Sequence, residues 1–464
     1  METINKQIIK SLNSENFHTW SKKQFCLFLG LKKAQFEQLV DWGKDTGKLI
    51  YIPKAQINHN LPEIGTDKNF PYLFFTDKEN PGFTILKDSG RLIFYFDVIA
   101  AIGWILGGFE EYNALKRDNF GRWSKENSLL HQNGFTNAPQ INLWLNFMRS
   151  YLKKRKIKTL NLWPNQKTWA VAITHDIEGL NFNFKTTLRN LFKAGVSFNL
   201  SYLRFALIKL VSTVIFTITD GWNFRQGFGD LIEVMNKLKL KPTLFMCGAG
   251  EKTDYLVYND PDYLITDQNI KIDLELALKL GFSIGMHPVI QTAPLYDRYR
   301  EQRANIGKII KFKPISCRHH YWNISRGDTA DAFLAMSRAG FKFDTSLSFY
   351  DEPNFRRSIA LPFQIYHPKI NRPLSIIEIP STFMDQWSSS NPQKFIAQLD
   401  LIKDLNGVAV LDWHSNRFSH RYYKKQKDLF INTIKKLKKD KKIWITNLNE
   451  IGLWWEKRTK DLGF

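Results

Sequence analysis

The pentapeptide Thr174-His175-Asp176-Ile177-Glu178 sets two carboxylates two residues apart. In extended backbone such residues share a face. Two carboxylates on one face repel unless a cation lies between them or one keeps its proton. One can then ligate a divalent metal while the other takes a proton from metal-bound water. Two solvated carboxylates at a strand end fit the fragment as well. His287 follows Gly285-Met286 and precedes Pro288. Its imidazole suits zinc or a hydrogen-bonded core position. In Arg318-His319-His320-Tyr321-Trp322, the arginine can hold a carboxylate bidentately. Trp322 offers a face on which a sugar ring can stack, unless it is simply packed. Trp413-His414 closes an apolar run, where a histidine can act as a general acid. Asp344 and Glu378 fit either supporting partners of these groups or turn and cap residues.

These residues need elements to carry them. Short apolar runs at 170–174, 243–246, 282–285, 315–317, 341–343, 375–379, 408–411 and 443–445 read as strands. Helical patterns lie between several of them, at 231–240, 274–280, 296–311, 330–339 and 424–437. Strand and helix in alternation mean a parallel sheet with helical crossovers. Seven or eight such units in about 300 residues suggest a (β/α) barrel. The chemically active residues then fall at the C-terminal ends of the strands, where a barrel places its active site. A basic run, Lys153-Lys154-Arg155-Lys156, followed by Trp163-Pro164-Asn165, marks a linker and a domain boundary.

Composition bounds the remainder. The 464 residues carry 66 Lys and Arg against 44 Asp and Glu, a net charge of +22. The excess is spread along the chain and admits an acidic partner without choosing one. No nucleic-acid-binding motif accompanies it, so no nucleic acid is expected. Phosphate-loop, dinucleotide and serine-elbow patterns are missing from the sequence. Three scattered cysteines (Cys26, Cys247, Cys317) argue against a disulfide scaffold. With no apolar leader after Met1, they suggest a cytoplasmic protein. The run at 96–109 reads as a buried helix. The run at 206–218, beside Arg204 and Lys209, reads as a buried helix or as one lying on an anionic membrane surface.

Taken in order, the motifs resemble those of the polysaccharide deacetylases, the NodB-type carbohydrate esterases. Thr174-His175-Asp176-Ile177-Glu178 resembles the first motif and Gly285-Met286-His287 the second. Arg318 to Trp322 resembles the third, Asp344-Thr345-Ser346 the fourth and Leu411-Asp412-Trp413-His414 the fifth. The resemblance covers roughly residues 166–464, with an insertion at about 182–222. It is closest to a divergent bacterial branch with an extra N-terminal domain. Gly121-Arg122-Trp123 and the stretch from Ser128 to Trp144 resemble that domain, whose role is not established.

What the resemblance implies is a distorted (β/α)7-type, NodB-like barrel at 166–464, preceded by a smaller α/β domain at 1–160. It implies a zinc-type, metal-dependent hydrolase that removes an N- or O-linked acetyl group from a glycan of bacterial surface polysaccharides. Asp176 would be the general base, Arg318 its orienting partner and His414 the general acid. Glu178 and His287 would bind the metal. Tyr321, Trp322, Asp344 and Trp413 would contact substrate, and Glu378 would support them. The sequence departs from the family where the second motif has one histidine: Gln291 stands where another belongs. His175, His319 or His320 would then supply the third ligand. The alternative is a catalytically impaired glycan-binding protein of a polysaccharide assembly pathway. The insertion would dock the protein peripherally on the inner membrane face.

Overall fold

The computed structural model describes residues 2–58, 62, 64–67, 70–74, 82–112, 116–118, 120–180, 227–250, 260–261, 263–325, 328–350, 353–419 and 423–464. The insertion at about 182–222, with Arg204, Lys209 and the run at 206–218, lies outside them. Among the described residues, no helix is long and apolar enough to cross a membrane.

The N-terminal region begins with helices α1 (Glu2–Leu12), α2 (Glu15–Leu29) and α3 (Lys33–Leu39). Ser14 caps α2 by accepting from the Phe17 amide. Strands β1 (Val40–Trp42), β2 (Ile50–Ile52), β5 (Phe83–Ile85) and β6 (Leu92–Phe94) form a four-stranded sheet in the order β1-β2-β6-β5. Strands β3 (Ile64–Asp67) and β4 (Phe70–Leu73) pair separately. The apolar run at 96–109 becomes α4 (Val98–Gly107), buried along its whole length. Asp97 starts it by accepting from the Ala100 amide at 2.9 Å. Two further helices, α5 (Leu129–Gln132) and α6 (Gln140–Lys154), complete the region.

The larger sheet contains β7 (Trp169–Asp176), β8 (Thr243–Met246), β9 (Ser283–Met286), β10 (Ser316–Cys317), β11 (Phe343–Asp344), β12 (Phe363–His367), β13 (Arg372–Glu378), β14 (Phe383–Met384), β15 (Val408–Asp412) and β16 (Ile443–Thr446). Its order is β12-β13-β11-β10-β9-β8-β7-β15-β14, with β16 also paired to β7. Neighbours are parallel except β12 and β13. Every residue of β7 and β15 is buried, as strands covered on both faces require. All eight strands expected from the sequence are present. The sheet does not close on itself among the described residues, so the expected barrel reduces to a mixed α/β fold around a run of mostly parallel strands. The antiparallel β12 and the two-residue β14 are additions that no periodic pattern announced.

One hydrophobic cluster runs through both regions, from Ile8 to Leu462. Helix α2 lies over β12 and β13, and the Trp20 indole N–H donates to the Gln364 carbonyl at 3.1 Å. Asn142 on α6 is fully buried and bridges the two regions. Its amide donates to the Leu405 carbonyl at 3.3 Å, and its oxygen accepts from the Ala360 N–H at 2.9 Å. Asn142→Ala leaves both backbone groups buried without partners, at about 1–3 kcal/mol each. We therefore expect a loss of at least about 2 kcal/mol in urea unfolding of the whole chain. A loss below about 0.5 kcal/mol would show that water replaces the amide.

Candidate metal centre and active site

Parallel strands deliver their C-terminal ends to one rim, and several of those ends carry a polar group. Asp176 ends β7, Asp344 ends β11, Glu378 ends β13 and Asp412 ends β15. His287 and Arg318 directly follow β9 and β10, and His414 stands two residues past β15.

At the middle of this rim lies Arg318, fully buried. Its Nη1 is 3.0 Å from Asp176 Oδ1 and 2.9 Å from Asp412 Oδ1. Its Nη2 donates to Thr174 Oγ1 at 2.6 Å, and Thr174 passes the bond to the Leu411 carbonyl. The guanidinium thus ties β10 to β7 and β15. Burial raises the Asp412 carboxyl to about 8, against the pull of Arg318.

Beside it, Glu178, His287 and His320 each offer one ligand atom, all within 4.8 Å of one another. His287 Nδ1 contacts the Arg318 carbonyl at 2.7 Å, so that nitrogen carries the hydrogen. The other nitrogen, Nε2, is buried, makes no hydrogen bond among the described residues, and lies 3.8 Å from both Asp176 Oδ2 and Glu178 Oε2. In the neutral ring, a lone pair then faces two carboxylates. A cation resolves that conflict, and two imidazoles with one carboxylate are a donor set that divalent zinc takes. His320 Nε2 is 2.8 Å from Glu178 Oε2, and its Nδ1 is 3.5 Å from Asp260 Oδ1. A carboxylate behind a ligating histidine fixes its ring. Burial disfavours charge on His320, but Glu178 and Asp260 raise it to about 9. Binding a cation there requires His320 to lose that proton.

His414 completes the rim. Its Nε2 is 3.3 Å from Glu178 Oε1, and its Nδ1 is 2.7 Å from Asp385 Oδ2. Asp385 also accepts from the His414 amide at 2.8 Å and from Arg417 Nε at 3.2 Å. Burial opposes charge on His414, but Asp385 and Glu178 raise it to about 10. Burial likewise works to raise Glu178, while His414 and His320 hold it well below the usual carboxylate range.

The structure brings Asp176, Glu178, His287, Arg318, His320 and His414 together. Of the three histidines considered for the third ligand, only His320 joins the cluster. His175 points into the core, with Nδ1 on the Trp413 carbonyl at 2.8 Å and its ring among Phe418 and Phe430. His319 pairs through Nε2 with the Tyr299 hydroxyl at 2.7 Å. Burial lowers both to about 3, leaving neutral core imidazoles. The residues expected to contact substrate differ in burial. Trp322 is 2% exposed and Trp413 0%, so neither offers an open face. Trp413 packs between Phe395 and Phe430 and donates to the Gln426 carbonyl. Tyr321 is half-buried and stacks on His320, with ring centroids 4.4 Å apart. Asp344 and Glu378 are fully buried partners on adjacent strands and face each other rather than a substrate. Sequence reasoning assigned no role to Asp385, Arg417 or Asp260. Asp412 stood inside the fifth motif, two residues before His414, which was the one signal within reach.

Residues 8–157 match DUF7033, a family of unknown function. No curated protein matches the chain. Among solved structures, the chain is similar to a protein of Mycobacterium smegmatis described as a polysaccharide deacetylase, with 13% identity, 64% of this chain and 93% of that one covered, and a TM-score of 0.42. It is similar to the Puue allantoinase at 13% identity, covering 64% and 92%, with a TM-score of 0.41. A Pseudomonas aeruginosa protein, also described as a polysaccharide deacetylase, gives 13% identity, 64% and 93% coverage and a TM-score of 0.41.

The Asp344–Glu378 pair has a pH signature. Burial raises Asp344 to about 6, and burial together with Asp344 raises Glu378 well above its usual range. Acids raised in the folded state contribute stability that is full below their unfolded values near 4 and is lost as pH rises through the folded values. Glu378→Gln keeps a donor beside Asp344 and removes one titrating group. The fall in unfolding free energy between about pH 5 and pH 8 is then shallower than in the wild type. Parallel slopes for the two proteins would assign the fall to other groups.

Proposed function

We propose that this chain is a metal-dependent hydrolase that removes an acetyl group from a glycan. The observation that carries the reading is the convergence of Glu178, His287 and His320 between an arginine-held carboxylate and a carboxylate-backed histidine. Those three residues would hold the cation, most suitably zinc, which supplies an activated water and polarises the acetyl carbonyl. The chain's own groups do the rest. Arg318 holds Asp176 through Oδ1, leaving Oδ2 turned toward the cluster to take the proton of an attacking water. Asp385 engages His414 Nδ1, so Nε2 faces Glu178 and presents a proton to the leaving amine or alcohol. The charged form of His414, favoured by Asp385 and Glu178, is the form a general acid needs. We assign residues 166–464 to this catalytic unit and residues 1–160 to a module that supports it. The enzyme class would be hydrolases acting on carbon–nitrogen bonds other than peptide bonds, or on acetyl esters.

Two measurements test this. The purified protein should contain about one equivalent of divalent metal, lost in Glu178→Ala, His287→Ala or His320→Ala. A metal-free wild type would remove the reading. Acetate release from an acetylated oligosaccharide should fall on the order of 10²–10⁴-fold in Asp176→Asn and His414→Ala, with circular dichroism unchanged. Release that survives Asp176→Asn would sink the mechanism, and glycan binding without release in any variant would favour a non-catalytic role.

A further inference from the structure

The N-terminal region contacts the segment that follows His320. A tight turn is closed by the Arg117–Trp123 bridge and organised by Asp118, which accepts from the Phe120 and Arg122 amides at 2.9 Å each. Gly121 gives the turn its positive φ of 79°. The turn is clasped to the segment after His320 in both directions. Arg122 Nη1 donates to the Tyr321 carbonyl at 2.9 Å, and Asn323 Nδ2 donates to the Phe120 carbonyl at 3.2 Å.

That segment is strained. Tyr321 and Trp322 sit consecutively at φ 55° and 51°, a conformation bulky side chains rarely adopt. It persists only where the surroundings over-determine it, and the clasp lies there. The rings line up accordingly. His320 stacks on Tyr321 at 4.4 Å, and Tyr321 stacks on Phe120 at 5.3 Å and 20°. The Arg122 guanidinium lies 5.0 Å from the Phe120 ring and 4.4 Å from Tyr350. A continuous stack thus runs from the third ligand of the cluster into the N-terminal region.

We infer that Phe120 and Arg122 are positioning residues of the metal centre: the N-terminal turn fixes the Tyr321–Trp322 backbone and, through the ring stack, the orientation of His320. This rests on the metal-site reading above and gives residues 1–160 a role in it. Partners that orient a ligating histidine typically change metal affinity 10–100-fold when removed. Phe120 is 37% exposed, so its truncation should leave the metal-free protein folded.

The test uses the full chain, with Co²⁺ as the probe because its visible absorption reports ligand geometry. Phe120→Ala should weaken Co²⁺ binding about tenfold and alter the spectrum, with the melting temperature of the metal-free protein unchanged. Phe120→Tyr, which keeps the stacking ring, should restore both. Arg122→Lys, which keeps the charge but loses the fork, should act like Phe120→Ala. A second readout needs no metal. The His320 ring-proton resonances, identified by their loss in His320→Ala, should shift in metal-free Phe120→Ala as the stack is broken. Unchanged Co²⁺ affinity and unchanged resonances in Phe120→Ala would overturn the inference while leaving the metal site standing. If the wild type binds no Co²⁺ but the resonances still move, the metal reading fails and the positioning of His320 stands. If neither binding nor shift is seen, both fail.

Discussion

A guanidinium without access to water has to be neutralised inside the protein, and Arg318 is in that position. Stripping such a charge of solvent is expensive, and only close, well-placed partners repay it. Asp176, Asp412 and Thr174 are those partners, contributed by β7 and β15 to a residue that follows β10. The demand acts across the sheet, because three strand ends must hold their register for one side chain to be satisfied. Asp176 is thereby held in place. The carbonyl of Arg318 also fixes the tautomer of His287. Main chain and side chain of one residue therefore orient both Asp176 and His287.

Much of this was legible beforehand for a simple reason. Strand ends in a parallel fold share one rim, so titratable residues at those ends must converge wherever the strands are identified. The apolar runs 170–173 of β7 and 408–411 of β15 made that identification secure. Side-chain direction was not legible. His319 and His320 are adjacent, yet one turns to Tyr299 in the core and the other to Glu178. No periodicity of the sequence encodes that divergence. Trp322 was read as a sugar platform from its chemistry and Trp413 as a substrate contact from the resemblance, but large apolar rings beside a well-packed sheet gain more by burial. Asp385 was missed because it follows a two-residue strand and stands 29 positions from the histidine it orients.

The N-terminal region shares the hydrophobic cluster of the larger sheet rather than keeping a core to itself. Glu111, from that region, pairs with Arg356 and Arg357 at 2.8 and 2.7 Å. Burial works to raise its carboxyl, and the two arginines bring it down to about 2. Apolar packing, buried polar bridges and paired charges join the two regions at once. Such a seam suits a site whose geometry depends on groups from both sides of it.

The large sheet ends at β12, and an open strand edge is a template on which another chain can add. Helix α2 meets that edge with hydrogen bonds of its own. Trp20 donates to the Gln364 carbonyl, while Gln24 Oε1 accepts from the Gln364 N–H at 3.2 Å. Nearby, Asn16 donates to the Asn371 carbonyl at the turn that follows. The backbone groups of Gln364 that would recruit a further strand are thus already taken by side chains of the same molecule. A chain cut short of α2 would uncover that edge and become prone to strand-wise self-association. Helix α2 therefore covers an edge that would otherwise stand open to pairing.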